Sequence, residues 1–187
     1  MRRKILDMLW QWKKTENGRV ALLIEGARRV GKSYIVEAFA REAYRSYIMI
    51  DLSYMPKALQ AVFDDYLNGI PMFLSLLQNV TGTQLYERES LIVFDEVQAY
   101  PKARQAIKHL VADGRYDYIE TGSLVGIMEN TQGILLPSEE RTVKMYPTRF
   151  RGVGSLPQQV GRPVESLFDE IKRVTEELGF VGVLLNP

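Results

Sequence analysis

The chain has 187 residues, of which 46% are hydrophobic and 25% charged, and its formal net charge at pH 7 is +1. This length predicts one domain of ordinary size with enough apolar residues for a sizeable core. The near-zero net charge excludes a global basic field that would by itself indicate nucleic-acid binding. No apolar run approaches the ~18 residues of a membrane helix. The absence of cysteine excludes disulfides, thiolate chemistry and cysteine-ligated zinc, and it favours a cytoplasmic location.

The first predicted element is an amphipathic helix over residues 5–14, whose tryptophans are expected to pack on the flank of the domain. A turn-like segment at 16–18 ends this helix. The apolar run at 20–24 then predicts a buried strand, and a helical pattern follows over 32–44. Between that strand and that helix lies the sequence G-A-R-R-V-G-K-S, residues 26–33.

Residues 26–33 match the pattern G-x-x-x-x-G-K-[ST] of the phosphate-binding (Walker A) loop, in the strand–loop–helix setting that this loop requires. Its glycines allow backbone dihedrals closed to other residues. Successive N–H groups and the positive end of the following helix would then form an anion site. Lys32 would reach the β- and γ-phosphates, and Ser33 would place its hydroxyl on Mg²⁺. The predicted nucleotide-binding residues are Gly26, Ala27, Arg28, Arg29, Val30, Gly31, Lys32, Ser33 and Tyr34.

The middle of the chain predicts two more strands with helices between them. Residues 47–50 form a short strand that ends at Asp51. The helical pattern over 56–80 is broken at 68–71, which predicts two helices. Leu-Ile-Val-Phe at 91–94 is typical of a buried parallel strand whose carboxyl end faces a ligand.

Asp95 and Glu96 follow this strand directly. In a protein with a phosphate-binding loop, such a pair is the Walker B element. Asp95 would hold the Mg²⁺ shell beside Ser33, and Glu96 would be the general base for the water that attacks the γ-phosphate. In isolation, two acids after a strand would indicate a solvated helix cap. An acid at position 96 also favours hydrolytic ATPases over small-molecule kinases, which commonly lack it.

Residues 101–112 predict another helix, ended by Gly114, and 116–120 predict the next strand. His109 is the single histidine. Because no second nitrogen or sulfur ligand accompanies it, we interpret it as a surface or partly packed side chain rather than a metal ligand.

Two hydroxyl residues close that strand, and one of them is expected beside the Walker B strand. Ser123 is the first choice and Thr121 the second for a hydroxyl that orients the attacking water or senses the γ-phosphate. A cap for a helix over 124–129 is the alternative role for Ser123. The two roles do not exclude each other.

Three segments together resemble the AAA-type ATPase domain of a large bacterial and archaeal family, whose members usually carry a second, C-terminal domain of unknown function. They are the loop at 26–33 with its arginine pair, Phe-Asp-Glu-Val-Gln at 94–98 and Glu-Thr-Gly-Ser-Leu at 120–124. The resemblance covers roughly residues 1–150. It implies an α/β fold with a doubly wound, mostly parallel five-stranded sheet of the RecA/AAA type, and ATP with Mg²⁺ as ligands.

In that family an arginine, a short strand and a Tyr-Pro-Leu-Ser-Phe-like segment follow the sensor serine. Arg141, residues 142–145 and Tyr-Pro-Thr-Arg-Phe at 146–150 hold the corresponding positions here. The resemblance therefore implies that Arg141 touches the γ-phosphate, within the chain or across a subunit boundary. A solvated arginine beside Glu139 and Glu140 is the alternative.

The predicted organisation is an ATPase domain at 1–150 and a divergent tail at 151–187. Residues 151–163 are rich in glycine and proline, which predicts a linker, and 163–179 have the spacing of an amphipathic helix. The larger C-terminal domain of the family is absent from the sequence. A truncated or frame-altered product and a compact variant are both open interpretations.

Magnesium-dependent ATP binding and hydrolysis is the first functional hypothesis. The second is a nucleotide-dependent switch that binds DNA or protein with little turnover, because the C-terminal domain is missing. A small-molecule phosphotransferase is a third, although no acceptor pocket or lid is identifiable. Arg28 and Arg29 occupy variable positions of the loop and would point away from the phosphates, towards a neighbouring subunit of a homo-oligomer or a bound strand.

Overall fold

A computed structural model describes residues 4–123, 140–146, 153–155 and 182–184, the last two ranges by their backbone only. The chain divides into two compact units, Met1–Tyr146 and Pro147–Pro187. This division falls four residues before the predicted domain boundary. Each unit is described by itself.

The first unit alternates helices and strands along the chain, as the sequence pattern predicts. Its helices are α1 Lys4–Glu16, α2 Lys32–Ala43, α3 Lys57–Tyr66, α4 Ile70–Thr81 and α5 Pro101–Asp113. Its strands are β1 Ala21–Gly26, β2 Ser46–Asp51, β3 Ser90–Asp95, β4 Asp117–Ser123 and β5 Glu140–Met145. A 3₁₀ turn, Val97–Ala99, joins β3 to α5.

The five strands of this unit form one sheet in the order β2-β3-β4-β1-β5. Every neighbouring pair is parallel. The predicted α/β class with a parallel five-stranded sheet is therefore confirmed. Because parallel strands end at the same edge, the carboxyl ends of β1, β3 and β4 lie side by side. That edge carries Gly26, Asp95 and Ser123.

Helices cover both faces of the sheet. Successive residues of β1 point to opposite faces, and both sets are buried. Leu22 and Ile24 join one apolar cluster, in which α1 and α2 supply the helical residues. Ala21 and Leu23 join a second cluster, to which α3, α4 and α5 contribute. This two-sided burial is what the near-continuous apolar runs of parallel strands indicate.

The helix boundaries follow local signals in the sequence. Pro71 lies in the first turn of α4, and α5 begins at Pro101, where the missing proline N–H breaks no helical hydrogen bond. Gly114 ends α5 with a left-handed φ of 75°, as predicted. Trp12 is buried, and its indole N–H donates to the Val20 carbonyl over 3.0 Å. This contact fits the predicted packing of α1 on the flank of the domain.

In the second unit, β6 Val153–Ser155 and β7 Gly182–Leu184 form a two-stranded parallel ladder. Residues 153–155 lie inside the stretch predicted as a linker, so this part differs from the prediction. The ladder hydrogen bonds come from a segment distant in sequence, which local composition does not reveal. The helices predicted over 124–129 and 163–179 lie outside the described residues. Within the described part of the chain, no helix is both long and apolar enough to cross a membrane.

Candidate nucleotide-binding site

The loop between β1 and α2 has the predicted glycine-specific dihedrals at Gly31 but not at Gly26. Gly31 has a φ of 90°, a left-handed conformation that residues with a Cβ rarely adopt. Gly26 is required for a different reason: a Cβ there would collide with the backbone oxygen of Met145 on β5. Two glycines therefore shape the loop, one by dihedral freedom and one by close approach of a neighbouring strand. Arg29 is also left-handed, with a φ of 63°.

Lys32 lies inside this loop rather than in solvent. Its side chain is 4% exposed, and its ammonium group donates to the carbonyls of Gly26 and Ala27, each over 3.1 Å. The backbone N–H of Ile35 donates to the Gly31 carbonyl over 3.1 Å, which starts α2 at the end of the loop. A compact cation thus lies at the N-terminus of a helix, where the helix dipole also favours anions.

The remaining loop side chains separate into a buried one and several exposed ones. Val30 is buried in the cluster formed with α1 and α2. Arg28, Arg29 and Tyr34 are exposed, and Tyr34 shows 72% of its surface. The expected direction of the two arginines, away from the phosphates, stays a prediction, as does their proposed partner.

The structure brings Ser33 and Asp95 together across 62 positions of sequence. The Ser33 hydroxyl donates to Asp95 Oδ1 over 2.9 Å, and Thr121 donates its hydroxyl to the same oxygen. Asp95 is 8% exposed, so burial of its charge requires such donors. The loop, β3 and β4 therefore meet at one carboxylate.

These residues suit a magnesium ion. Mg²⁺ prefers oxygen ligands and is commonly held by one or two carboxylates together with substrate phosphates. The adjacent oxygens of Ser33 and Asp95 form such a partial donor set. In the ranges that the structure describes, no group of three or more His, Cys, Asp and Glu side chains is placed to hold a metal. His109 is exposed on α5.

Glu96, the predicted general base, has an unusual backbone. Its φ of 55° and ψ of 48° are left-handed, a conformation that non-glycine residues adopt infrequently. Its N–H donates to the Thr121 hydroxyl over 3.3 Å. Its carboxylate accepts a hydrogen bond from the side-chain amide of Gln98, whose carbonyl oxygen accepts from the Ser123 N–H over 3.3 Å. Glu96 is thus linked twice to β4.

The structure does not bring Arg141 to the phosphate-binding loop of its own chain. Arg141 pairs in register with Leu22, whereas Gly26 pairs with Met145. Four strand positions, about 13 Å, therefore separate Arg141 from the loop edge. Its guanidinium lies 3.7 Å from a Glu16 carboxylate oxygen, and its side chain is 56% exposed. Arg141 therefore does not reach the γ-phosphate position of its own chain, because it lies near the end of β5 opposite the loop. A role across a subunit boundary stays a prediction.

The sequence did not predict a buried charged cluster formed by residues of α5, β4 and β5. Arg104 on α5 donates to both carboxylate oxygens of Glu140, over 2.9 and 3.2 Å, and both side chains are 5% exposed. Glu120 on β4 is fully buried, with the Glu140 carboxylate as its neighbour. Burial raises the pKa of the Glu120 carboxyl, neighbouring Glu140 raises it further, and Arg104 opposes both. The sequence signal for this cluster was a glutamate, Glu120, within a buried strand.

A parallel sheet in this order, with a glycine loop between β1 and α2 and an Asp-Glu step after β3, defines the class of P-loop nucleotide-binding proteins. The family model of the AAA domain matches residues 18–153. The chain belongs to this family, and its matched region is a nucleotide-binding domain of the ATPase type.

Two solved structures are similar to part of this chain. A chain in the structure of Drosophila ORC bound to AT-rich DNA and Cdc6 matches 78% of this chain and 58% of its own length, with a TM-score of 0.50 and 12% identity. A chain of Drosophila ORC bound to DNA matches 75% of this chain and 88% of its own length, with a TM-score of 0.49 and 12% identity. At this identity the likeness concerns the fold alone.

One curated protein shows a short local similarity. It is a 2-keto-4-carboxy-3-hexenedioate hydratase of Sphingobium sp., 43% identical over 47 residues. These residues amount to 25% of this chain and 14% of the hydratase. The chain therefore spans about one seventh of that relative.

Proposed function

We propose that this domain binds ATP with Mg²⁺ and hydrolyses the γ-phosphate. The observation that carries the proposal is the meeting of Ser33, Asp95 and Thr121 at one buried oxygen. This contact places the end of the phosphate-binding loop against the end of β3. Adjacent strand ends of this kind are where phosphate-loop enzymes hold a metal-bound triphosphate.

Phosphate binding is assigned to the loop backbone, the N-terminus of α2 and Lys32. The Lys32 ammonium, now on the Gly26 and Ala27 carbonyls, would exchange carbonyl oxygens for oxygens of the β- and γ-phosphates. Ser33 and Asp95 would hold Mg²⁺, which supplies neutralisation of the phosphate charge when it is bound. Phosphoryl transfer depends mainly on such positioning and charge stabilisation.

Water activation is assigned to Glu96. Glu96 directly follows β3, whose last residue is the proposed metal ligand Asp95. Ser123, at the end of β4, is the proposed sensor of the γ-phosphate. Both assignments derive support from the hydrogen-bonded link between Glu96, Gln98 and the Ser123 backbone.

Phosphate release by the purified protein tests this proposal. The wild type should release phosphate from ATP in Mg²⁺ and lose that activity in excess EDTA. Glu96→Gln should retain nucleotide binding and lose turnover by about 10²-fold or more, since general-base catalysis contributes on this scale. Lys32→Ala should lose binding or turnover. A wild-type rate equal to that of Lys32→Ala would refute hydrolysis.

A nucleotide-dependent interaction module is the second proposed function. Two large aromatic side chains are exposed just beyond the carboxyl edge of the sheet: Tyr34 at the start of α2, and Tyr54, which is 84% exposed just after β2. Arg28 and Arg29 add exposed positive charge to this edge. Such a surface suits a DNA or protein partner that binds in one nucleotide state.

Two measurements separate these functions and test oligomerisation. ATP-dependent binding of single-stranded or duplex DNA, with turnover no greater than that of Lys32→Ala, would favour the interaction module. A rate per chain that rises with protein concentration would support a homo-oligomer in which one chain supplies Arg141 to its neighbour. A flat profile would contradict that role for Arg141.

A further inference from the structure

The side-chain amide of Gln98 bridges the Glu96 carboxylate and the Ser123 backbone in the candidate site. Its Nε2 donates to Glu96 Oε2, and its Oε1 accepts from the Ser123 N–H over 3.3 Å. Gln98 follows β3 by three positions and lies in the 3₁₀ turn Val97–Ala99. The turn therefore folds the amide back towards the end of β3 and across to the end of β4.

The chemistry of both partners determines which way the amide points. A carboxylate accepts hydrogen bonds and a backbone N–H donates them, so the amide NH₂ must face Glu96 and its oxygen must face Ser123. The opposite orientation would place an oxygen against a carboxylate and an NH₂ against an N–H. Gln98 therefore satisfies both partners in one orientation alone.

This bridge continues the β3–β4 pairing after the backbone ladder stops. The last register pair between these strands is Phe94 with Glu120. Beyond it, Thr121 donates to Asp95, the Glu96 N–H donates to Thr121, and Gln98 links Glu96 to Ser123. Side chains thus join the two strand ends where the candidate site lies.

The same contacts hold Glu96 in its left-handed conformation. Backbone of this kind is unfavourable for a non-glycine residue and persists where surrounding contacts determine it. Thr121 holds the Glu96 N–H, and the Ala99 N–H donates to the Glu96 carbonyl over 2.9 Å. The Gln98 amide adds a contact at the carboxylate itself, so the direction of the side chain is constrained as well as the backbone.

We propose that Gln98 is a positioning residue for ATP hydrolysis, which holds the Glu96 carboxylate in place and couples it to the end of β4 at Ser123. This inference rests on the proposed function, in which Glu96 activates water. Gln98 touches neither phosphate nor metal in this assignment. It acts through Glu96, and any displacement of the β4 end moves the Gln98 amide and the carboxylate together.

Two substitutions separate the parts of this coupling. Gln98→Met keeps the approximate size of the side chain and removes both hydrogen bonds. Gln98→Glu keeps an acceptor for the Ser123 N–H but replaces the donor that faces Glu96 with a second negative charge. Gln105→Met, at an exposed position of α5, is the matched control for a glutamine-to-methionine change.

The experiment measures kcat for phosphate release and the Kd of a fluorescent ADP analogue for each variant, with thermal unfolding as a check of folding. Both Gln98 variants should lower kcat by about 10-fold or more, because small misplacements of reacting groups reduce rates on this scale. Their Kd values should stay within about 3-fold of the wild type, since the phosphate-binding loop is unchanged. Gln105→Met should match the wild type in both quantities.

Each other outcome would overturn the inference in a distinct way. A wild-type kcat in Gln98→Met, or in Gln98→Glu, would show that the donor to Glu96 does not position the base. A loss of ADP binding equal to the loss of kcat would show a general structural role. A wild type that releases no more phosphate than Lys32→Ala would refute the proposed function and this inference with it.

Discussion

Replacement of Thr121 by valine tests whether the strand ends are held together as the structure shows. Valine has nearly the shape of threonine but lacks the hydroxyl. In the native protein that hydroxyl donates to Asp95 and accepts from the Glu96 N–H over 3.3 Å. The variant therefore removes a link between β3 and β4 with little change of packing volume.

The loss of stability follows from these two bonds. A hydrogen bond to a charged group contributes about 1.5–3 kcal/mol, and the Asp95 carboxylate is buried with Ser33 as its second donor. The longer bond from the Glu96 N–H adds little, because Glu96 is partly exposed and water can replace it. We expect the free energy of unfolding to fall by about 2–3 kcal/mol. The melting temperature should fall by about 4–12 °C in a chain of this size.

Urea unfolding followed by tryptophan fluorescence measures this change, because both tryptophans lie on α1, away from the substituted position. Thr142→Val, at an exposed position of β5, is the matched control and should change stability by less than about 0.5 kcal/mol. If the two valine variants were equally stable, the Thr121–Asp95 bond would not be part of the folded structure, and the geometry of the site would need revision.

Three further predictions concern residues that support the site. Arg104→Met should reduce the free energy of unfolding by about 3–5 kcal/mol, since it leaves the Glu140 carboxylate buried without its cation, as measured by chemical denaturation. Glu120→Gln should remove a pH dependence of stability. The pKa of Glu120 is raised in the folded protein, so above about pH 4.5 the unfolded chain releases a proton that the folded chain retains, and stability falls as pH rises, by at most about 1.4 kcal/mol per pH unit. Gly26→Ala should destabilise by about 1–3 kcal/mol in thermal unfolding, because the new Cβ collides with the Met145 backbone oxygen.

The controls for these three predictions lie within the same chain. Gly69→Ala has room for its Cβ and should change stability by less than about 1 kcal/mol; an equal effect at both glycines would contradict the close approach of β5. Wild-type stability in Arg104→Met would show that the ion pair with Glu140 does not form. A slope of stability against pH that is the same in Glu120→Gln and the wild type would assign the titration to another group.

Much of the candidate site could be predicted because its signals are local in the sequence. The apolar run before Gly26 and the helical pattern after Lys32 identify the loop without knowledge of the rest of the chain. A parallel sheet then brings the carboxyl ends of strands to one edge. That rule suffices to predict that Ser33 and Asp95 meet, and their hydroxyl and carboxylate oxygens are 2.9 Å apart.

Strand register decides which of Thr121 and Ser123 contacts the Asp95 carboxylate. Both residues occupy alternate positions of β4 and so share one face of the sheet, which leaves the sequence unable to distinguish them. The pairing of Phe94 with Glu120 places Asp95 level with Thr121. Thr121 therefore bonds the carboxylate, while Ser123 lies two positions further and uses its backbone N–H towards Gln98.

The sequence by itself determined most elements of the first unit, the class of fold and the loop, because hydrophobic period and glycine chemistry act over a few neighbouring residues. Only the tertiary structure decided the side-chain partners. Arg104 meets Glu140 across 36 positions, and Arg141 lies at the far end of β5 from the loop. Such contacts depend on the register and separation of elements distant in the chain, and no local pattern records those quantities.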